Sequence, residues 1–274
     1  MPNVKDLFDL TDRVALVTGA AGLLGRGFAR TLAEAGAAVV VADVDGGAAE
    51  RVAAGLREGG LQALAVQADI TDETAVARML AAAVETWGRL DVLVNSAAWD
   101  PKFDPDHEGG QAANAFEDYP LDLWNRALEI NLTGTFLVCR EAGRIMKAQG
   151  KGSIVNLCST YGLVGPDQRI YEREGEPPRY KPVFYSVTKA GILGLTKYIA
   201  TYYAGTAVRC NALTPGGVFN DHDEAFLIAY SYRAVMGRMA EPHEMNGALL
   251  FLAGDASSYM TGGNLIVDGG WTAW

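Results

Sequence analysis

Tyr185 and Lys189 stand four residues apart in the run Tyr185-Ser186-Val187-Thr188-Lys189. On a helix that spacing stacks both side chains on one face. An ammonium beside a phenol favours the phenolate and lowers the tyrosine pKa from its ordinary value of about 10. A phenol tuned in this way exchanges a proton with an alcohol near neutral pH. Taken alone, Tyr-x-x-x-Lys is common and carries no function. Ser159 closes an apolar run upstream, where its hydroxyl can hold a substrate oxygen or simply end a strand. Asn131 lies inside a helical run, where asparagine is a poor helix former; on its own it reads as structural.

A second constellation suits a phosphate-bearing ligand. Thr18-Gly19-Ala20-Ala21-Gly22-Leu23-Leu24-Gly25 follows the first apolar run and opens a helix. Glycines there permit a tight turn and close backbone approach to a pyrophosphate seated on the helix N-terminus. Asp43 closes the second apolar run, 18 residues beyond Gly25. A carboxylate at that place accepts from both ribose hydroxyls and repels a 2′-phosphate. No lysine or arginine lies between Gly36 and Glu50 to offset that repulsion, so NAD is expected over NADP. Asp69 either faces the adenine edge or caps the helix that begins near Asp72.

These residues need a frame. β-Branched apolar runs at 13–18, 37–42, 61–67, 90–95, 153–157, 207–213 and 264–267 read as strands. Helical patterns cover 22–35, 46–58, 72–87, 121–149, 182–203 and 241–253. Strands that are apolar throughout and alternate with helices predict a parallel sheet covered on both faces. The fold class expected is therefore α/β, a doubly wound Rossmann-type sheet of about seven strands in one domain spanning 1–274. Its ligand belongs beyond the carboxyl ends of the strands. Two polar stretches, 99–119 and 166–181, interrupt the alternation after strand ends and read as active-site loops.

With 33 acidic against 23 basic residues the net charge is −10. An acidic chain without a basic run argues against nucleic acid and anionic membranes as partners. Hydrophobic residues at 49% and charged residues at 20% exclude a disordered chain, a coiled coil and a collagen-like repeat. Cys139, Cys158 and Cys210 are far apart in apolar segments, which suits reduced thiols and no disulfide or zinc framework. His107, His222 and His243 show no metal-ligand spacing, so no metal is expected. The N-terminal segment MPNVKDLFDL has no signal-peptide core, so a cytoplasmic location is expected.

Together these motifs resemble the short-chain dehydrogenase/reductase superfamily, in its single-domain branch, over roughly residues 10–271. The glycine loop looks like that family's cofactor loop, and Asn95-Ser96-Ala97-Ala98 like its Asn-Ala-Gly motif. Asn131, Ser159, Tyr185 and Lys189 fall where the family keeps a catalytic tetrad. Pro215-Gly216 and Val267-Asp268-Gly269-Gly270 look like its later signatures. The resemblance implies that Tyr185 is the proton donor and acceptor and that Lys189 lowers its pKa and holds the nicotinamide ribose. It implies that Ser159 binds the substrate oxygen and that Asn131 anchors a water leading from Lys189 to solvent. Cofactor contacts are implied for Gly19, Gly22, Leu24, Gly25, Asp43, Asp69, Ile70, Asn95, Ala97, Tyr185, Lys189, Pro215, Gly216, Val218 and Asn220. Three departures stand out. Leu23 replaces the family's middle glycine, Ala98 replaces a glycine, and Asn220 replaces a threonine.

Tyr185 stands 26 positions after Ser159, about twice the family's usual gap, so 166–181 reads as an insertion beside the reacting hydroxyl. With Pro166, Pro177 and Pro178 and many charges, it is expected to wall the pocket and add little to the core. Tyr161-Gly162, Pro166 and Ile170-Tyr171-Glu172 also resemble flagellin-modification and nonulosonate-pathway sugar oxidoreductases. Trp99, Ser159 and Tyr161 are candidate substrate contacts. Arg169, Arg173 and Arg179 either bind an anionic substrate group or pair with Glu172, Glu174 and Glu176 in solvent. The expected function is NAD-dependent interconversion of a secondary alcohol and a ketone, on a sugar or sugar-derived molecule. Two alternatives remain. One is a reductase of hydrophobic ketones, steroid or acyl type, lined by Trp99, Phe103, Tyr119 and Phe219. The other is a non-catalytic cofactor-sensing protein, which would not need the whole tetrad. The family implies a homo-oligomer, and a tetramer is expected; Trp271 and Trp274 at the C-terminus should pack on a neighbouring subunit or on the active-site loops.

Overall fold

The computed structural model describes residues 3–101, 114–176 and 178–274; Phe103, Pro177 and much of the 99–119 stretch lie outside them. Seven strands form one sheet in the order β3-β2-β1-β4-β5-β6-β7, and every pairing is parallel. They are β1 (Val14–Thr18), β2 (Ala38–Asp43), β3 (Ala63–Gln67), β4 (Val92–Asn95), β5 (Lys151–Leu157), β6 (Ala207–Pro215) and β7 (Asn264–Val267). The helices are α1 (Gly25–Glu34), α2 (Gly46–Glu58), α3 (Glu73–Trp87), α4 (Leu121–Leu128), α5 (Thr135–Gln149), α6 (Val183–Tyr202), α7 (Glu224–Arg233) and α8 (Asn246–Ala253). The doubly wound expectation holds.

Two hydrophobic layers sandwich the sheet. One joins Leu16, Val40, Leu93 and Ile154 to α3 and α5; the other joins Val17, Val39, Val94 and Val155 to α1, α2 and α8. Burial on both faces is why these strands carry no polar alternation. Strand order reverses between β1 and β4. At their aligned ends Thr18 pairs with Ala42 on one side and Asn95 on the other. That reversal opens the crevice that holds the ligand in such sheets.

The long helix expected over 121–149 is broken. A turn of π-helix, Glu129–Gly134, separates α4 from α5 and carries Asn131. A Cβ on Gly134 would lie 2.7 Å from Ile70, so the missing side chain there lets the helix press against the segment that follows β3. α7 lies outside the helical patterns of the sequence because FLIAYSY is apolar without a 3.6-residue period; its one local signal is Asp223, whose carboxylate accepts from the Phe226 N–H at 2.9 Å.

The 166–181 stretch departs from its expectation. Gln168–Tyr171 forms a 3-10 turn, and Ile170 and Tyr171 are buried at 4% and 7% exposure. They join Tyr161, Phe226, Tyr230 and Trp271 in a third, mostly aromatic cluster. The segment is thus both wall and satellite core, because two apolar residues among its charges suffice to dock it.

Candidate active site

A cavity of about 930 Å³ lies beyond the carboxyl ends of the strands. Its cofactor end is built by the loop between β1 and α1. Gly19 has φ +62°, and a Cβ there would stand 2.6 Å from the Ala97 Cα. A Cβ on Gly25 would collide with the Gly19 carbonyl at 2.1 Å, whereas one on Gly22 would meet it at 3.2 Å. Two of the three loop glycines are therefore sterically required, and the shift of the middle glycine from 23 to 22 leaves the turn intact. The Thr18 hydroxyl accepts from the Ala97 N–H at 3.3 Å and ties this loop to the one after β4. Asp43 Oδ2 accepts from the Ala21 N–H at 3.0 Å, which aims the carboxylate across the loop into the cavity. The cradle fits a dinucleotide: closely approached backbone at the pyrophosphate position and a carboxylate at the ribose position.

Leu24, Asp69, Ile70, Pro215, Gly216, Val218 and Asn220 also line the cavity. Asp69 Oδ1 accepts from the N–H and hydroxyl of Thr71, and Asp72 caps α3, so the capping alternative for Asp69 falls away. Asn95 is not brought to the cavity. Its Nδ2 donates to Asn156 Oδ1 at 2.8 Å and to Cys139 Sγ at 3.1 Å within a buried network under the sheet. Alternate strand residues face opposite layers, which places this side chain among the residues packed against the sheet.

The reacting end is built on α6 and the end of β5. Tyr185 and Lys189 share one face of α6, and Ser159 follows β5. Burial pushes the Tyr185 phenol above its ordinary pKa, Asp100 adds to this, and a hydrogen bond with the Ser159 hydroxyl works the other way. Lys189 is buried, donates to the Leu157 carbonyl at 3.0 Å and has its pKa lowered by desolvation. Its ammonium lies 5.9 Å from the Tyr185 ring centroid, whereas that of Lys181 lies at 4.0 Å. Of the two ammonium groups, that of Lys181 is the closer to the Tyr185 ring.

Asn131 is 3% exposed. Its amide closes on the Trp99 backbone, accepting from the N–H at 2.6 Å and donating to the carbonyl at 3.0 Å. This side chain clamps the segment after β4. The Trp99 ring stacks on Phe184 at 5.2 Å, next to Tyr185. Asp100, held by that turn, receives the Lys181 ammonium at 2.7 and 2.8 Å.

The substrate wall differs from the sequence reading. Trp99, Ser159 and Tyr161 line the cavity as expected; Tyr171, His222, Phe226, Tyr230 and Met239 also do. Tyr161 and Tyr171 share a hydroxyl–hydroxyl hydrogen bond of 3.1 Å, and Trp271 stacks on Tyr230 at 4.2 Å. Trp271 thus packs on its own chain's active-site wall, while Trp274 is exposed and donates to the Arg233 carbonyl at 3.0 Å. Arg169, Arg173 and Arg179 are absent from the described lining. They pair with Asp167, Asp223 and Glu176 respectively. Tyr119 and Phe219 are likewise not on the described lining, and Phe103 lies outside the described residues. Asp100, Lys181 and α7 were missed. Their only local signals were Lys181 standing four residues before Tyr185 and the cap at Asp223.

A family model described as enoyl-(acyl carrier protein) reductase matches residues 19–272. The chain is 42% identical to cis-4-hydroxycyclohexanecarboxylate dehydrogenase of Sinomonas cyclohexanicum, over 96% of this chain and 97% of that protein. It is 32% identical to an NAD-dependent glycerol dehydrogenase of Listeria innocua, over 97% of this chain and 96% of that protein. Among solved structures, a gluconate 5-dehydrogenase from Burkholderia cenocepacia in complex with NADP and tartrate is similar. That match has a TM-score of 0.86 at 30% identity and covers 99% of this chain and 100% of that one.

Proposed function

Since the chain belongs to the short-chain dehydrogenase/reductase superfamily, we propose that it oxidises a secondary alcohol on a small cyclic or sugar-like skeleton with NAD, reversibly. The observation that carries this reading is that Tyr185, Ser159 and Lys189 line one cavity with the glycine loop and Asp43. NAD supplies the hydride acceptor when bound; Gly19 and Gly25 admit it and Asp43 receives its ribose hydroxyls. Ser159 Oγ holds the substrate oxygen. Tyr185 Oη takes the hydroxyl proton during oxidation and returns it during reduction. Lys189, anchored on the Leu157 carbonyl, keeps a positive field beside the phenol and reaches toward the nicotinamide ribose. No step needs a metal, and among the described residues no cluster of metal-ligating side chains is present.

Asp43 favours NAD over NADP by repelling a 2′-phosphate. The aromatic wall suits the C–H face of a ring, and the paired hydroxyls and charges suit polar substituents, so a steroid-sized apolar ketone fits less well. The enzyme is a homo-oligomer, with the tetramer our preferred state and Trp274 as the remaining exposed C-terminal tryptophan. The three cysteines are buried free thiols, in keeping with a cytoplasmic enzyme; among the described residues no helix is long and apolar enough to cross a membrane. A turnover screen with NAD and NADP against cyclic alcohols, hydroxy acids, polyols and sugars tests the proposal. Absence of NAD-linked turnover across that panel contradicts it.

A further inference from the structure

The ion pair between Lys181 and Asp100 is not required by alcohol oxidation as such, yet it is built with care. Lys181 is fixed at both backbone groups by one side chain: Gln168 Oε1 accepts from its N–H at 2.8 Å, and Gln168 Nε2 donates to its carbonyl at 3.3 Å. Asp100 follows Trp99, whose backbone is closed in the same manner by Asn131. Two amide clamps from different elements thus bring together residues 81 positions apart. The Lys181 side chain is only 16% exposed, and that of its partner Asp100 is 37% exposed. The ammonium also faces the Tyr185 ring at 4.0 Å.

Three lysine or arginine residues line the cavity among the described residues: Arg126, Lys181 and Lys189. Lys189 is engaged at the Leu157 carbonyl, and the Arg126 guanidinium sits 5.3 Å from the Trp99 ring. Of the three, Lys181 is the cation that lies over the ring of the reacting phenol, where it is paired with Asp100 at the cavity. An ammonium has three donors; Asp100 accepts through two oxygens, which leaves one donor for a further acceptor.

We propose that Lys181 anchors an anionic group on the substrate, so that the natural substrate is a hydroxy acid whose carboxylate lies a few bonds from the carbinol. The proposal rests on the dehydrogenase reading for the carbinol's position, and the anion site itself stands apart from it. Asp100 balances Lys181 in the resting protein and competes with the incoming carboxylate. Trp99 and Tyr161 then flank the carbon skeleton between the two polar ends. Hydrogen bonds to charged groups contribute about 1.5–3 kcal/mol, so loss of the anchor should weaken carboxylate binding on the order of 10- to 100-fold.

The test is calorimetric, on the full chain saturated with NADH, using cyclohexanecarboxylate and its uncharged isostere cyclohexanecarboxamide. Wild type should bind the carboxylate at least tenfold more tightly. Lys181→Met should collapse that preference to near unity, and Lys181→Arg should retain most of it. Asp100→Asn should tighten the carboxylate several-fold by removing the competing charge. Melting temperature and NADH affinity of each variant separate a lost anchor from a damaged fold. Equal affinity of wild type for acid and amide, or an undiminished preference in Lys181→Met, overturns the proposal. Lysine-dependent carboxylate binding without turnover of any alcohol would instead sink the dehydrogenase reading and leave the anion site standing.

Discussion

Asn131→Ala tests whether the π-helical turn serves to clamp the active-site wall. The substitution deletes two hydrogen bonds to the Trp99 backbone, at 2.6 and 3.0 Å. Each contributes about 1 kcal/mol net, and because Trp99 is half-buried, water recovers part of what is lost. The expected cost is about 2 kcal/mol. At about 2–4 °C per kcal/mol for a chain of this order, the melting temperature should fall by about 4–8 °C. The functional effect follows the geometry. Trp99 carries Asp100, and Asp100 holds Lys181 over the Tyr185 ring, so a loosened turn should raise KM for substrate several-fold. NAD binding, which draws on the other end of the cavity, should change less than twofold. Thermal melts and steady-state kinetics, with each substrate varied in turn, read both effects. An unchanged melting temperature with an unchanged substrate KM refutes the clamp. A loss confined to kcat refutes it as well, since that pattern belongs to a proton-relay role.

Asp43→Ala should raise KM for NAD by about 10- to 100-fold through loss of charge-assisted ribose contacts and should improve NADP use; kinetics with both cofactors check it. Asp100→Asn should move the ascending limb of the pH profile of kcat/KM for oxidation to lower pH. Its negative charge holds the Tyr185 pKa up, so removing it lets the phenol ionise earlier; an unmoved or upward-shifted limb contradicts the assignment. Ile170→Ala should cost on the order of 2–4 kcal/mol in denaturant unfolding, because Ile170 is 4% exposed in the aromatic cluster; a negligible change would restore the picture of 166–181 as a loop outside the core.

Much of the frame could be read from the chain because its signals are local. Strands buried on both faces are apolar runs, and loop glycines at Gly19 and Gly25 answer a steric demand that a side chain cannot meet. Tyr185 and Lys189 were legible for the same reason, as a helical spacing on α6. What escaped depends on residues distant in sequence. The Asp100–Lys181 pair spans 81 positions, and nothing in either segment announces the other. Arg173 pairs with Asp223, 50 positions away, which its own segment does not announce, whereas Arg169 and Arg179 pair with the nearby carboxylates of Asp167 and Glu176. The break between α4 and α5 was foreshadowed only by Asn131, whose poor helix propensity marked the place without giving the geometry.

The central claim is that the Tyr185 hydroxyl moves the proton. Tyr185→Phe, assayed for NAD reduction with the best alcohol from the screen and for NAD binding by titration, tests it most directly. Loss of one positioned acid/base group typically costs about 10²- to 10⁴-fold in rate, so kcat should fall by that amount while NAD affinity stays within a few-fold of wild type. A Tyr185→Phe enzyme that keeps near-wild-type kcat contradicts the account.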